Sequence, residues 1–358
     1  MTSISRLVLR ASKVRESGIN TKRGRNAFFN KIFKCLNIYS IWKILRRSLD
    51  DETRGMTASH RSNQGANAVA RSDFDALQER LLLIERRLES IAAQAATVAV
   101  PLPDNTILVQ TVWGIKVIID ALDVVMTPQM VVYREWEREL SQLFADFAGP
   151  DTVFVDVGAN LGYFTCLVGS RIGQAGHGRI IAIEPNPHMV ARIHRNVEIN
   201  WSMCPIDVQP VGASDHEGMV ELFLPKDHLA NATVLVWPDG RDDVIQVPVR
   251  TIDEIARNVV SVDLMKIDVE GYERFVLNGA RQLIERSPGV RIIMEWSKGQ
   301  LGMTGTSSEA MTAMFSELGL VACRLPGSLR NFSIADIRIA DSDLHYLEYG
   351  NILLVHDS

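Results

Sequence analysis

From Asp151 onward, short apolar runs alternate with helical periodicities, and this alternation limits the possible folds more than any other feature of the chain. VFVDV, RIIAIE, IDVQPVGA, LMKIDV and RIIMEW read as strands rich in β-branched residues. Between them lie a helical pattern reaching about Ser170, another over about 187–200, then TIDEIARN and ERFVLNGARQLIE. The helix SEAMTAMFSELG and the strands VACRL and NILLVH close the chain. Strands separated by helices predict an α/β fold built on a doubly wound, mostly parallel sheet. Two further strands, MVELFLP and VIQVPV, read as an insertion. Upstream, residues 105–125 are expected to form a hairpin or two short strands around Gly114, and residues 129–148 a helix.

Composition divides what precedes this pattern. Residues 1–71 read as a basic amphipathic leader followed by a flexible linker rich in Ser, Asn, Gly and Ala. The first 50 residues hold twelve Lys and Arg against Glu16 and Asp50, a charge of +10 that leaves −15 for the remainder. Within residues 25–49, Phe29, Ile32, Phe33, Leu36, Ile41, Trp42 and Leu45 interleave with Lys31, Lys34, Lys43, Arg46 and Arg47. Such a segment suits peripheral contact with an anionic membrane surface, or docking on a partner. Residues 72–98 read as a short coiled-coil helix capped by Ser72, in which Leu77, Leu81, Ile84, Leu88, Ile91 and Ala95 form a heptad seam. Pairing of two copies through residues 74–95 is the expectation, and Pro101 and Pro103 are expected to close the segment. Residues 99–150 then lead into the main domain, 151–358.

The acidic main domain argues against a nucleic-acid partner. Cys35, Cys166, Cys204 and Cys323 form no CxxC pair, so reduced thiols are expected instead of zinc ligands or disulfides. No run of 18 apolar residues is present, nor the apolar core of a secretory signal. A cytoplasmic location follows as the expectation, peripheral at the inner face of a membrane if the leader engages lipid.

The chemistry is expected where the first strand ends, at Asp156-Val-Gly158-Ala-Asn160-Leu-Gly162. In open α/β sheets, ligands bind beyond the carboxyl ends of the strands where strand order reverses. Asn160 stands where a dinucleotide fingerprint has its second glycine, and no Lys-Ser/Thr follows to make a P-loop. A carboxylate at this tip, with a second at Glu184 ending IIAIE, would repel a pyrophosphate on the helix N-terminus. The pair suits a cofactor carrying an ammonium and a sulfonium, S-adenosylmethionine, with Glu184 accepting the ribose hydroxyls. A nicotinamide-dependent oxidoreductase and a non-catalytic scaffold are the competing readings; the acidic loop disfavours the first, and the intact cofactor motifs disfavour the second.

DVGANLGYFT, IAIEPNP with HRNVEIN behind it, GASD, TIDEI, LMKIDVEGYERFVLNGA and IIMEW occur in this order, and together they resemble the FkbM family of S-adenosylmethionine-dependent methyltransferases. KIDVEGxE with its downstream NGA is the most specific block. The resemblance, from about Asn105 to Val355, implies a Rossmann-like class I methyltransferase fold: a seven-stranded sheet ending in an antiparallel hairpin, here preceded by an N-terminal helical extension. It implies methyl transfer to a hydroxyl of a sugar, glycan or polyketide-type natural product. It places Asp156, Gly158, Asn160 and Gly162 around the methionine, Glu184 on the ribose, and Gly212, Ala213, Ser214 and Asp215 near the adenine edge.

Methyl transfer to an alcohol needs positioning and a proton acceptor. Asp268 and Glu270, at the tip of the fourth strand, are the expected catalytic carboxylates. Glu273 reads as a cap or a solvated helix charge. His228, in the inserted strand pair, is a further candidate base, whereas His188 and His194 read as helix-surface residues. Tyr133, Trp136 and Glu137 are placed to close the acceptor cleft. A divalent metal is possible but not expected, although Glu295 with Asp268 could supply oxygen ligands to magnesium.

Overall fold

The computed structural model describes residues 99–201, 203–224 and 243–357, all within one compact unit, Arg87–Ser358. The leader, linker and coiled-coil readings of residues 1–98, and His228, lie outside the described residues.

Strands β1 (Ala99–Leu102), β2 (Thr106–Gln110) and β3 (Lys116–Asp120) form an antiparallel sheet ahead of the main fold. The hairpin expected around Gly114 is present, with β1 added at its edge. Pro101, expected to close the preceding segment, sits within this edge strand, where a missing N–H is tolerated. Helices α1 (Met126–Tyr133) and α2 (Arg138–Phe147) replace the single helix expected over 129–148. The break is held by tertiary bonds: Arg134 Nε donates to the Gln110 carbonyl at 2.7 Å, and Trp136 N–H donates to the Tyr163 hydroxyl at 3.1 Å. Arg134 and Glu137 both adopt left-handed backbone conformations, with φ of 60° and 40°.

The main domain follows as β4 (Val153–Val157), α3 (Tyr163–Ile172), β5 (Arg179–Ile183), α4 (Pro187–Ile199) and β6 (Ile206–Gln209). The chain then leaves the sheet through β7 (Gly212–Ala213), β8 (Gly218–Leu224) and β9 (Asp243–Arg250), which form a separate three-stranded sheet in the order β7-β9-β8. It returns through α5 (Ile252–Ile255), β10 (Leu264–Ile267), α6 (Glu273–Asn278), α7 (Arg281–Glu285) and β11 (Arg291–Ser297). Helices α8 (Lys298–Met303) and α9 (Ser308–Glu317), strand β12 (Leu320–Cys323), helices α10 (Ile334–Ile337) and α11 (Asp341–Tyr346), and strand β13 (Tyr349–His356) complete it.

The seven-stranded sheet has the order β12-β13-β11-β10-β4-β5-β6. All pairings are parallel except β11–β13 and β12–β13, so the fold is the Rossmann-like, doubly wound sheet with a C-terminal antiparallel hairpin. Strand order reverses between β4 and β10, which makes their tips the switch point where a ligand is expected. Side chains alternate across β4. Phe154 packs with Phe144 and Phe164 on one face, while Val155 and Val157 join Met265, Ile267 and the α6 residues Val276 and Leu277 on the other. Helix α2 seats itself through Leu140, Leu143 and Phe144, spaced i, i+3, i+4, and Phe144 meets the Phe164 ring edge-on at 5.0 Å. Among the described residues, no helix is long and apolar enough to cross a membrane.

Candidate active site at the strand tips

A cavity of about 420 Å³ opens at the carboxyl ends of β4, β5, β10 and β11, within the size range of small-molecule sites. One part of its lining comes from Val157, Gly158, Asn160, Ile183, Glu184, Gly212 and Ala213, with Val220, Leu222, Val247 and Val249 of the side sheet. The other comes from Trp136, Glu137, Asp268, Glu270, Tyr272, Glu295 and Tyr349.

Backbone constraints fix the first part. Gly158 has a φ of +73°, and a Cβ there would lie 1.8 Å from the Asp268 carbonyl oxygen. Its N–H and that of Ala159 both donate to the Ile183 carbonyl, at 3.0 and 3.1 Å. The tips of β4, β5 and β10 are thereby held together by main-chain contacts. Asn160 also takes a left-handed conformation, with φ 52°. Its N–H donates to Glu184 Oε2 at 2.8 Å, while Asn186 N–H donates to Oε1 at 2.9 Å. Glu184 is thus fixed through both oxygens, each retaining acceptor capacity toward the cavity. Burial pushes its carboxyl up to about 7 in spite of the two N–H donors.

Four of the expected cofactor residues do not line the cavity. Asp156 shares the β4 face of Phe154, so its carboxylate lies under α3, where Oδ2 accepts from Thr165 Oγ1 at 2.5 Å. It is the cross-strand partner of Lys266, and it is 1% exposed. Its place is beneath the turn and not in the cavity lining. Gly162, at φ +83°, starts α3 against Ile193. Ser214 and Asp215 serve the contact between GASD and NGA: Asn278 Nδ2 donates to Asp215 Oδ2 at 3.3 Å, and a Cβ on Gly279 would approach the Ser214 carbonyl to 2.0 Å. The helix expected over ERFVLNGARQLIE is divided at this glycine into α6 and α7. Gly279→Ala is expected to lower stability by roughly 1–3 kcal/mol, the usual range for overpacking, read from urea unfolding; an unchanged midpoint would contradict the contact.

The second part is acidic. Lys266 is 4% exposed and donates from Nζ to Asp268 Oδ2 at 2.7 Å. Burial acts to strip its proton, but Asp268, Asp156 and Glu137 outweigh that and hold the ammonium charged. Glu270 adopts a φ of 55° and accepts from Gln300 Nε2. Burial, then the charge of Asp268, pushes it up to about 7. Glu295 accepts from the Tyr349 hydroxyl at 2.6 Å, and its buried Oε2 has no hydrogen-bond partner. Burial first, then Asp268 and Glu270, raise it to about 8. One oxygen from each of Asp268, Glu270 and Glu295 lies within 4.8 Å of the others, a spacing compatible with an oxygen-liganded divalent ion. Glu273 is not a solvated charge: it is 1% exposed, and its Oε1 accepts from the N–H groups of Val269 and Gly271.

Glu184, Glu270, Glu273 and Glu295 therefore keep protons in the folded state that they shed near pH 4.5 when unfolded. Where the native state binds more protons, stability falls as pH rises. The ligand-free protein is expected to melt at a lower temperature at pH 8.5 than at pH 6, and a flat or opposite trend would contradict these burials.

Glu137, Tyr272, Tyr349 and Lys266 complete the site. Glu137 was expected beside the cleft, Lys266 and Tyr272 fall within the KIDVEGxE block without an expected role, and Tyr349 has no motif to announce it.

Residues 156–321 match the methyltransferase FkbM domain. The chain is 29% identical over 155 residues to the hexuronic acid methyltransferase AglP of Haloferax volcanii, covering 42% of this chain and 58% of that protein. It is 28% identical over 120 residues to the tRNA U34 carboxymethyltransferase of Cellvibrio japonicus, covering 30% and 35% of the two chains. The chain thus spans less than two thirds of either curated relative. A crystal structure of methyltransferase FkbM from Methylobacillus flagellatus KT aligns at 15% identity with a TM-score of 0.34, over 57% of this chain and 44% of that one. The chain thus carries a methyltransferase FkbM domain at residues 156–321, and the tips of β4, β5, β10 and β11 that open the cavity fall within it.

Proposed function

We propose that the protein methylates a hydroxyl oxygen on a sugar, glycan or polyketide-type natural product. The observation that carries this reading is the group of carboxylates at the tips of β10 and β11, facing the same cavity as Glu184. The residues present fit S-adenosylmethionine. Glu184 is aimed into the cavity with acceptor capacity for a ribose diol, Ala213, Val220, Leu222 and Val247 offer an apolar wall for a base, and the acidic lining complements a cationic cofactor. When bound, S-adenosylmethionine supplies an electrophilic methyl group on a positively charged sulfur.

The chain's own residues do the rest. Gly158 and Asn160 let backbone come close to the ligand, and Glu184 orients it. Lys266 holds the Asp268 carboxylate at the β10 tip. A carboxylate with its affinity for protons raised toward neutrality is suited to take the hydroxyl proton as the new C–O bond forms. Glu295 and Glu270 both meet that condition, and Glu295 Oε2 has an unused lone pair with which to do it. The name of the Haloferax relative, a hexuronic acid methyltransferase, supports a sugar acceptor.

The test is transfer of labelled methyl from S-adenosylmethionine to a panel of glycosides and glycan fragments, with the product linkage read by mass spectrometry. O-methyl products formed by the native chain, and reduced at least tenfold by Asp268→Asn, are expected. Methyl found on nitrogen, or on RNA alone, would overturn the reading.

A further inference from the structure

The charge of the cavity narrows the acceptor beyond the proposed function, on which this inference rests. Six acids line it: Asp123, Glu137, Glu184, Asp268, Glu270 and Glu295. Among the described lining residues there is no Lys, Arg or His. The nearest ammonium, that of Lys266, is buried behind the wall and already bonded to Asp268. Arg134, also buried, donates its Nε to the Gln110 carbonyl. With these carboxyls ionised, a carboxylate or phosphate on the acceptor would thus enter a low-dielectric space of its own sign, with no described cation lining the cavity.

Two of these acids each leave one oxygen unused. Glu137 Oε2 and Glu295 Oε2 are each buried without a hydrogen-bond partner. Glu137 is held in a left-handed conformation at the start of α2, a strain of the kind that surrounding structure retains at functional positions. It lies outside the FkbM domain at residues 156–321, so it is a feature of this chain's upstream segment. Trp136, Tyr272 and Tyr349 share the same wall and offer flat surfaces to a ring.

We propose that Glu137 and Glu295 act as a charge filter that admits an uncharged or amine-bearing polyol as methyl acceptor and rejects a uronic acid. In this respect the acceptor differs from that named for the Haloferax relative. An ammonium or hydroxyl group can donate to the two unused oxygens, whereas a carboxylate cannot.

The experiment uses the full chain saturated with S-adenosylhomocysteine and three probes, the methyl glycosides of glucosamine, glucose and glucuronic acid. Binding is followed by ligand-observed NMR at pH 8, with and without Mg²⁺. The glucosaminide and glucoside are expected to bind at least tenfold more tightly than the glucuronide. That gap should shrink to threefold or less in Glu137→Gln combined with Glu295→Gln, with cofactor binding retained. Equal or tighter binding of the glucuronide would overturn the proposal, as would glucuronide binding that appears only with Mg²⁺, because a metal would then be reading the anion. Absence of binding by all three probes, with cofactor binding intact, would overturn the glycan reading and the filter together, whereas a reversed order would overturn the filter alone.

Discussion

Gly158→Ala is expected to damage this protein more than any other single-methyl change at the site. The added Cβ would lie 1.8 Å from the Asp268 carbonyl oxygen, and the residue would have to keep a φ of +73°. Backbone cannot yield there as the tip of a flexible side chain would, because Asp268 N–H donates to the Val157 carbonyl at 3.1 Å and Gly158 N–H to that of Ile183 at 3.0 Å. Separation of the β4 and β10 tips, or unfolding, is the only relief. Overpacking and left-handed strain together suggest a loss of about 3 kcal/mol or more. The control is Gly305→Ala. That glycine has the same φ, +73°, but nothing within 4 Å of its Cβ, so only the strain of about 1–2 kcal/mol applies. Urea unfolding of the two variants checks the argument, and equal losses would show that the tips are not in the contact described.

The second large effect is expected on turnover. Glu295→Gln keeps the shape of the side chain but removes the carboxylate. A general base typically contributes a factor of about 10²–10⁴, and a fall in kcat of that order with intact cofactor binding is expected. The pH profile separates a base from a structural residue. Glu295 faces Asp268, Glu270 and Glu273 and accepts from Tyr349, and burial with these charges raises it to about 8. Because the ionised form is the active one, native kcat should climb with pH up to about 8 and level off above it. The limb should vanish in Glu295→Gln. Tyr349→Phe removes a bond that stabilises the carboxylate, so its limb should move to higher pH. A variant that keeps the native limb would assign the base to another group, Glu270 first.

Much of the fold was legible because parallel strands buried on both faces are written as nearly continuous apolar runs, as VFVDV, RIIAIE and LMKIDV are. The readings that departed from the structure did so where tertiary contacts set local geometry. The single helix expected over 129–148 breaks because Arg134 and Trp136 find hydrogen-bond partners on β2 and α3. ERFVLNGARQLIE divides where the Gly279 carbonyl accepts from Asp253 N–H and the Asp253 carboxylate accepts from the N–H groups of Gln282 and Leu283. The site was legible in its backbone and less so in its contacts. Gly158, Asn160 and Glu184 line the cavity as expected from the glycine turn and the acid ending β5. Asp156 belongs to the same motif, yet the period of two along β4 turns it away, toward Thr165 and Lys266. Glu137 and Tyr349 come from segments far apart in the chain with no spacing to link them. Only the fold brings them to one wall.

The central claim is that the cavity at the tips of β4 and β5 holds S-adenosylmethionine through Glu184. Calorimetric titration of the full chain with S-adenosylmethionine, S-adenosylhomocysteine and NAD tests it directly, with Glu184→Gln alongside and its folding checked by thermal melting. Loss of a hydrogen bond to a charged group is worth about 1.5–3 kcal/mol. Both sulfur cofactors should therefore bind the native chain and bind the variant roughly 10- to 150-fold more weakly, while NAD should not bind. Unchanged affinity in a folded Glu184→Gln variant, or binding of NAD alone, would contradict it.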